Sequence, residues 1–304
     1  MKSDSLRLHA PSSIVFLCGG AFEKPEAPPK MLRDVFYRSA KLLLGKFRIV
    51  LAEDAKPLEA EAGYKDLLSF ESDIAQVVGV ILLFAESAGS LAELGAFAAL
   101  RTVAPSLIAV LDDHYYYQSS FIKNGPVLYL EQKYGADWIH VLERAELGIG
   151  NQGEIDNLDH PKFTQSVMPA VEKRLDSRGG WEKYDPSHTG HVILLMTGLL
   201  QEMGALTITE IKSALEHFKA EDIRLDNFLY CSILLGWVKK VRKGNNIYYV
   251  ATENNPALDY ELNTTLANRD KIRWRADIRS HWTKTDPPRM RAIMQVLAPI
   301  EATK

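Results

Sequence analysis

The chain has 304 residues, of which 46% are hydrophobic and 25% charged, with a formal net charge of −3. That length suits two domains of ordinary size, and the composition excludes global disorder. The charge is unevenly placed: residues 1–180 hold 19 Lys+Arg against 24 Asp+Glu, net −5, while residues 181–304 hold 17 against 15, net +2.

In chain order, "SIVFLCGG" reads as a buried strand running into a double glycine. "PPKMLRDVFYRSAKLLLGKF" opens with proline and carries apolar residues at helical spacing, ending near Gly45. "FRIVLAED" is a second strand, "YKDLLSFESDIAQV" a second helix and "VVGVILLF" a third strand. The apolar continuity of that third strand predicts burial on both faces of a parallel sheet. "SLAELGAFAALRTV" is a third helix, "SLIAVLDD" a fourth strand and "WIHVL" a fifth. Strands alternating with helices predict an open, mostly parallel α/β sheet of Rossmann-like type over residues 1–180.

Residues 146–188 are turn-rich around one helical piece, "FTQSVMPAVEKRL", and a boundary is expected near Gly180. Beyond it come the helix "HVILLMTGLLQEMG", then "ALTITEIKSALEHF" as a short extended piece and a helix, then the helix "RLDNFLYCSILLGWV" and the basic hairpin "VKKVRKGNNIYYVA". Three helices followed by a hairpin give residues 181–304 the layout of a winged helix-turn-helix. The tail "NRDKIRWRADIRSHW" is basic and reads as helical. From Lys239 to Arg291 there are 12 basic and 6 acidic residues, a local excess of +6.

The two cysteines, Cys18 and Cys231, each lie in an apolar run, the pattern of buried thiols rather than a disulfide framework. The eight histidines show no metal-ligand spacing, so no metal is expected. The N-terminal "MKSDSLRLHAPSS" has no apolar signal core, and the longest apolar run, Val77 to Ala85, is too short to cross a bilayer. These features predict a cytoplasmic protein with no membrane partner.

Ligands of open α/β sheets bind beyond the C-terminal ends of the strands. Those ends carry Gly19, Gly20 and Phe22; then Glu53 and Asp54; then Glu86, Ser87, Gly89, Ser90 and Glu93; then Asp112 and Asp113. Glycines let a ligand approach the backbone, and a helix starting near Ser90 would aim free N–H groups at the same space. Each group also has a plain alternative. The glycines could form only a tight turn, Asp112 and Asp113 could be solvated, and "SLAE" fits a capping box with Ser90 as N-cap and Glu93 as its partner. No G-x-G-x-x-G follows the first strand and no G-x-x-x-x-G-K-S/T motif occurs, which argues against dinucleotide oxidoreductases and P-loop ATPases.

The succession "FLCGGAF", "AED", "LLSFESDI", "ILLFAESAGSLAELGAF" and "SFIKNGPV", across residues 13–130, resembles the nucleoside 2-deoxyribosyltransferase-like effectors of retron antiphage systems. More remotely it resembles nucleoside deoxyribosyltransferases. Those enzymes have a Gly-Pro in the first loop and Asp-Ser-Gly-Thr before the nucleophilic Glu, where this chain has Gly19-Gly20 and Glu86-Ser87-Ala88-Gly89-Ser90. The resemblance implies that Glu93 is the catalytic nucleophile. Cleavage of an N-glycosidic bond builds positive charge on the anomeric carbon, which a carboxylate on the face opposite the leaving base can stabilise or capture. By the same resemblance Glu71 and Asp73 contact the sugar and Asn124 the base or phosphate, while Glu86 or Ser87 binds sugar hydroxyls or assists the leaving group.

The resemblance further implies a substrate of nucleotide type, NAD foremost, consumed as substrate and not held as cofactor. Its nicotinamide leaves as a cation needing little protonation, and the strand-end loops are read as offering no histidine. Implied partners are a retron reverse transcriptase and its multicopy single-stranded DNA joined to RNA, within an oligomeric assembly. Lys239, Lys240, Arg242 and Lys243 around Tyr248 and Tyr249, then Arg269, Lys271, Arg273 and Arg275 around Trp274, interleave cations with aromatics as nucleic-acid binding requires. A nucleotide-sensing winged-helix transcription regulator and a deoxyribosyltransferase of nucleotide salvage are the alternative readings.

Overall fold

The computed structural model describes residues 1–40, 47–178 except 57, 59 and 61, 180–252, 254–262 and 270–297. The expected helix end near Gly45 and the basic residue Arg269 lie outside the described residues. The chain forms two compact units, and both are discontinuous. One comprises Ser13–Ala55 and Ile74–Gly179, the other Met1–Ser12, Lys56–Asp73 and Gly180–Lys304. Gly180 is thus one crossing point among several, because residues 1–12 and 56–73 belong with the C-terminal part.

The first of these units is built on a five-stranded, wholly parallel sheet in the order Arg48–Leu51, Ile14–Cys18, Val80–Phe84, Leu107–Asp112, Ile139–Leu142. Ile14–Cys18 and Val80–Phe84 are buried at every position, which is why they read as unbroken apolar runs. Val15, Leu17, Val80, Leu82, Phe84, Ile108 and Val110 pack with Val35 and Phe36 of the Leu32–Ala40 helix and with Phe163, Val167 and Val171 of the His160–Ser177 helix. The Ala88–Ala99 helix packs on Val80–Phe84 and Leu107–Asp112 and buries Leu94, Phe97 and Ala98. The strand order reverses between Ile14–Cys18 and Val80–Phe84, so the crevice favoured by ligands in such sheets lies at their C-terminal ends. Leu17 is paired with Leu82 and Cys18 with Leu83, so Gly19-Gly20 and Ala85-Glu86 leave the sheet side by side.

In the other unit, the helices Thr189–Met203, Ile208–His217 and Leu225–Leu234 precede the hairpin Val238–Lys243/Asn246–Ala251, whose second strand also pairs with Ala205–Leu206. Thr207 and Glu210 form a reciprocal capping box that starts the middle helix. The basic tail is helical over Lys271–Thr285, and a further helix, Pro287–Leu297, sets Ala292 and Ile293 against Val241, Tyr248 and Val250. Arg289 fastens that helix by donating to Asp286 (2.9 Å) and Glu210 (2.7 Å). Arg7–Leu8 joins this unit as the middle strand between Leu258–Asp259 and Glu182–Lys183. Cys18 and Cys231 are both buried, and neither is in a disulfide. No helix among the described residues is long and apolar enough to cross a membrane.

Candidate active site

Gly19 turns the chain out of its strand at φ +142°, a conformation that L side chains rarely adopt. A Cβ there would lie 2.9 Å from the Phe84 carbonyl oxygen and 3.0 Å from Cδ of Arg33. Arg33 itself, in the first turn of the Leu32–Ala40 helix, is 1% exposed. Its guanidinium donates to the carbonyls of Leu17 (2.7 Å), Gly20 (2.9 Å) and Gly19 (3.3 Å), and both terminal nitrogens grip the Glu53 carboxylate. Phe22 covers it, with the guanidinium carbon 4.5 Å from the ring centre, and meets Tyr37 edge-on at 5.3 Å. One arginine therefore gathers the exits of two strands. Asp54, next to Glu53 in a short 3-10 turn, is exposed.

Glu86 accepts backbone N–H bonds from Leu32 (2.6 Å) and Arg33 (3.1 Å), capping the Leu32–Ala40 helix from the neighbouring strand end. Burial pushes its carboxyl up to about 7 against the opposing pull of those N–H groups. Ser87, not Ser90, is the N-cap of the next helix. Its hydroxyl accepts from the Ser90 N–H (3.2 Å), and the Ser90 hydroxyl accepts from the N–H groups of Ser87 (2.9 Å) and Glu86 (3.0 Å). The helix begins at Ala88, so the expected capping pair of Ser90 with Glu93 does not form. Gly89 is exposed on the first turn.

Glu93 falls in the second turn, where the backbone no longer needs it. Its side chain is half-buried, and Oε2 is enclosed with no hydrogen-bond partner among the described residues. Burial raises its pKa; the Arg33 cation opposes the rise and the Glu53 carboxylate adds to it. The carboxylate at position 93 is thus associated electrically with the arginine that organises the glycine turn.

Glu86 also lines a cavity of about 510 Å³, within the usual range for small-molecule sites. The wall includes Met31, Phe84, Val110, Asp112, His114, Tyr115 and Arg144, but not Glu93. His114 therefore stands beside the fourth strand end, which corrects the expectation that these loops offer no histidine. Arg144 is engaged by Asp113 (2.7 Å), and Asp112 caps the short helix Asp113–Tyr117.

Asn124 is exposed in the Lys123–Val127 turn of π-helix, which packs against the Ala88–Ala99 helix; its amide donates to Ser119 Oγ at 3.4 Å. Glu71 and Asp73 are buried in the other compact unit. There Asp73 accepts from Arg224 (2.9 and 3.1 Å) and from the Tyr64 hydroxyl (3.0 Å), bonds that hold that unit together rather than serve a sugar. Arg33, His114 and Tyr115 are the residues of this region that strand-end reasoning missed. A lone arginine on an amphipathic helix carries no sequence signal, although the histidine of the "LDDHY" run follows the fourth strand directly and is a signal that sequence offers.

On the hairpin, Lys239, Lys240 and Arg242 are exposed and Lys243 is half-buried. Arg273 is exposed on the tail helix. Arg275 is not available in the same way: it makes a two-pronged bond to buried Glu202 (2.7 and 2.9 Å), which also accepts from the Tyr260 hydroxyl (2.7 Å). Tyr248 and Tyr249 are buried, with the Tyr248 hydroxyl donating to Asp286, so neither can act as a stacking platform.

The profile of the STM3845 retron effector protein matches residues 29–240, which includes four of the five strands of the parallel sheet, all but Ile14–Cys18, and the three helices beyond. The chain belongs to the STM3845 retron effector family. Among curated relatives, the "Retron Ec86 putative ribosyltransferase/DNA-binding protein" of Escherichia coli is 28% identical over 214 residues, covering 69% of this chain and 66% of that protein. The "Retron Ec73 putative ribosyltransferase/DNA-binding protein" of Escherichia coli is 26% identical over 252 residues, covering 77% of this chain and 76% of that protein. The chain thus spans just under two thirds of the first relative's length. The family match includes Arg33, Glu53, Glu86 and Glu93 and stops at Lys240, within the basic hairpin.

Proposed function

We propose that this retron effector cleaves the N-glycosidic bond of a nucleotide-type substrate, NAD foremost, with Glu93 as the nucleophile. The observation that carries the reading is the state of Glu93. Among the described residues its carboxylate is neither a helix cap nor one arm of a hydrogen-bonded ion pair, and one enclosed oxygen has no donor, while the Arg33 cation opposes the rise of its pKa. A group held this way costs stability and is kept where chemistry uses it. The names of the two Escherichia coli relatives, ribosyltransferase and DNA-binding protein, point the same way.

In this reading the ribose lies over the Gly19-Gly20 turn with its anomeric carbon facing Glu93. Arg33 keeps that carboxylate ionised as positive charge grows on the sugar. Glu86, held near 7 by burial, can exchange a proton with the leaving base, and Ser87 and Gly89 offer the first turn of a helix to sugar hydroxyls or phosphate, with buried Ser90 holding that turn in shape. The three helices and hairpin act as a winged helix. Lys239, Lys240, Arg242, Lys243 and Arg273 contact the reverse transcriptase–msDNA complex that restrains the effector until infection disturbs it. The functional assembly is oligomeric and works in the cytoplasm.

The test is base release by the purified full chain supplied with NAD or, separately, with deoxynucleosides. Glu93→Gln should abolish release of nicotinamide while leaving nucleotide binding. Unchanged release by that variant would remove Glu93 from the chemistry. Release from deoxynucleosides alone would move the substrate to the salvage class. Binding without turnover by the parent chain would favour a nucleotide sensor.

A further inference from the structure

Arg33 stands outside the residues that the sequence singles out, yet more of the crevice hangs on it than on any acidic group there. It is 1% exposed and sits at the start of one helix, but its bonds go to the ends of two strands and the turn after them. An isolated guanidinium at such a depth is costly, and Glu53 is its one ionic partner among the described residues. That partner is half exposed, with 49% of its side chain reaching solvent, so the pair is buried at the cation and open at the anion. Moreover Nε of Arg33 is buried without an acceptor among the described residues, so the fork is oriented by its terminal nitrogens.

The charged groups acting on Glu93 come from two elements: Arg33 from the Leu32–Ala40 helix and Glu53 from the turn after Arg48–Leu51. These two groups are bonded to each other. Neutralising Glu53 therefore removes the anion that offsets Arg33, and removing Arg33 takes away the cation that opposes the rise of the Glu93 pKa. Resting on the proposed role of Glu93, we infer that Arg33 is the positioning residue of this site and that Glu53 sets how much of its charge Glu93 experiences. Arg33 fixes the glycine turn through three carbonyls and supplies the cation that keeps the nucleophile ionised. Glu53, reachable from solvent, is the point at which a bound substrate's hydroxyl or a neighbouring group can adjust that charge.

Lysine cannot reproduce this arrangement. It carries the charge but lacks the planar fork that spans three carbonyls and a carboxylate. Charge and positioning can therefore be separated experimentally. The side-chain carboxyl of Glu93 is titrated by carbon-13 NMR in the full chain, assigned by its disappearance in Glu93→Gln, so the measurement does not depend on turnover. Nicotinamide release is followed in parallel across pH. Arg33→Met should raise the Glu93 midpoint by about one pH unit or more, as expected for removal of a nearby opposite charge. Glu53→Gln should lower it. Arg33→Lys should keep the midpoint near that of the parent but reduce turnover at least about tenfold.

Midpoints that do not move in opposite directions for Arg33→Met and Glu53→Gln would overturn the electrostatic part. Full turnover in Arg33→Lys would overturn the positioning part. Since Arg33→Met removes a buried fork and could prevent folding, Glu53→Gln, at a half-exposed position, decides the electrostatic part by itself: an unmoved or raised midpoint refutes it. If the midpoints shift as expected while Glu93→Gln still releases base, the electrostatic coupling stands and the nucleophile assignment falls.

Discussion

Replacing Glu93 with methionine should make the protein more stable and catalytically dead. A buried polar atom without a partner costs about 1–3 kcal/mol. Glu93 is only half-buried and is partly compensated by Arg33, so the lower end applies, about 1 kcal/mol. Methionine has nearly the same helix propensity and length as glutamate, which removes backbone preference from the comparison. The gain should depend on pH with a definite sign. The Glu93 pKa is raised in the folded protein, so between its unfolded and folded values the native state holds a proton that the unfolded chain has released. Its contribution is therefore favourable at low pH and lost as pH rises through the folded value. The advantage of Glu93→Met should be largest near about pH 8 and shrink toward acid. Opening free energies from amide hydrogen exchange in the fully buried strand Val80–Phe84 report on this unit specifically. Destabilisation by about 1 kcal/mol or more at that pH would mean that Glu93 holds the fold together, and the reasoning would fail.

Two glycines of the crevice should behave oppositely. Gly19→Ala forces a Cβ to 2.9 Å from a backbone oxygen at φ +142° and should cost about 2 kcal/mol or more in a thermal or urea melt. Gly89→Ala meets nothing nearer than Ser87 Oγ at 3.9 Å, so the melt should be unchanged or improved by up to about 1 kcal/mol, while a substrate seated on that turn would show a higher KM. On the hairpin, Lys239→Glu with Arg242→Glu should weaken binding of a single-stranded nucleic acid probe. Its salt dependence should flatten by about 0.7 in log–log slope for each phosphate no longer neutralised, and an unchanged slope would place the nucleic acid elsewhere. Arg275→Glu should instead lower stability, since it sets a second carboxylate against buried Glu202; equal stability would place Arg275 back among the free cations.

The parallel sheet was legible because its central strands are covered on both faces, and such strands spell themselves out as apolar runs. The start of the Ala88–Ala99 helix was not, because "SAGSLAE" holds two capping patterns three residues apart, and only the bonds of Ser90 to the N–H groups of Glu86 and Ser87 select the earlier one. Arg33 was illegible for a different reason. Its partners, Leu17, Gly19, Gly20 and Glu53, lie 13 to 20 residues away in sequence and become neighbours only once two strands are paired. Distance along the chain likewise hid the Glu202–Arg275 bond, 73 residues apart, and the Asp73–Arg224 bond, 151 apart. Tyr248 and Tyr249 misled through local reading: next to lysines and arginines they suggest a binding face, but the Pro287–Leu297 helix covers Tyr248, and Tyr249, on the other face of the strand, is buried as well.

The interleaving of the two units along the chain bears on how such a protein can be taken apart. Severing the polypeptide at Gly180 would strip the C-terminal fragment of the Arg7–Leu8 strand that threads between Leu258–Asp259 and Glu182–Lys183, and of Asp73 and Tyr64. Neither clipping by a protease nor a shortened clone would yield two self-sufficient halves. Cutting there would instead leave the C-terminal fragment with a missing strand and with Arg224 stripped of its bond to Asp73.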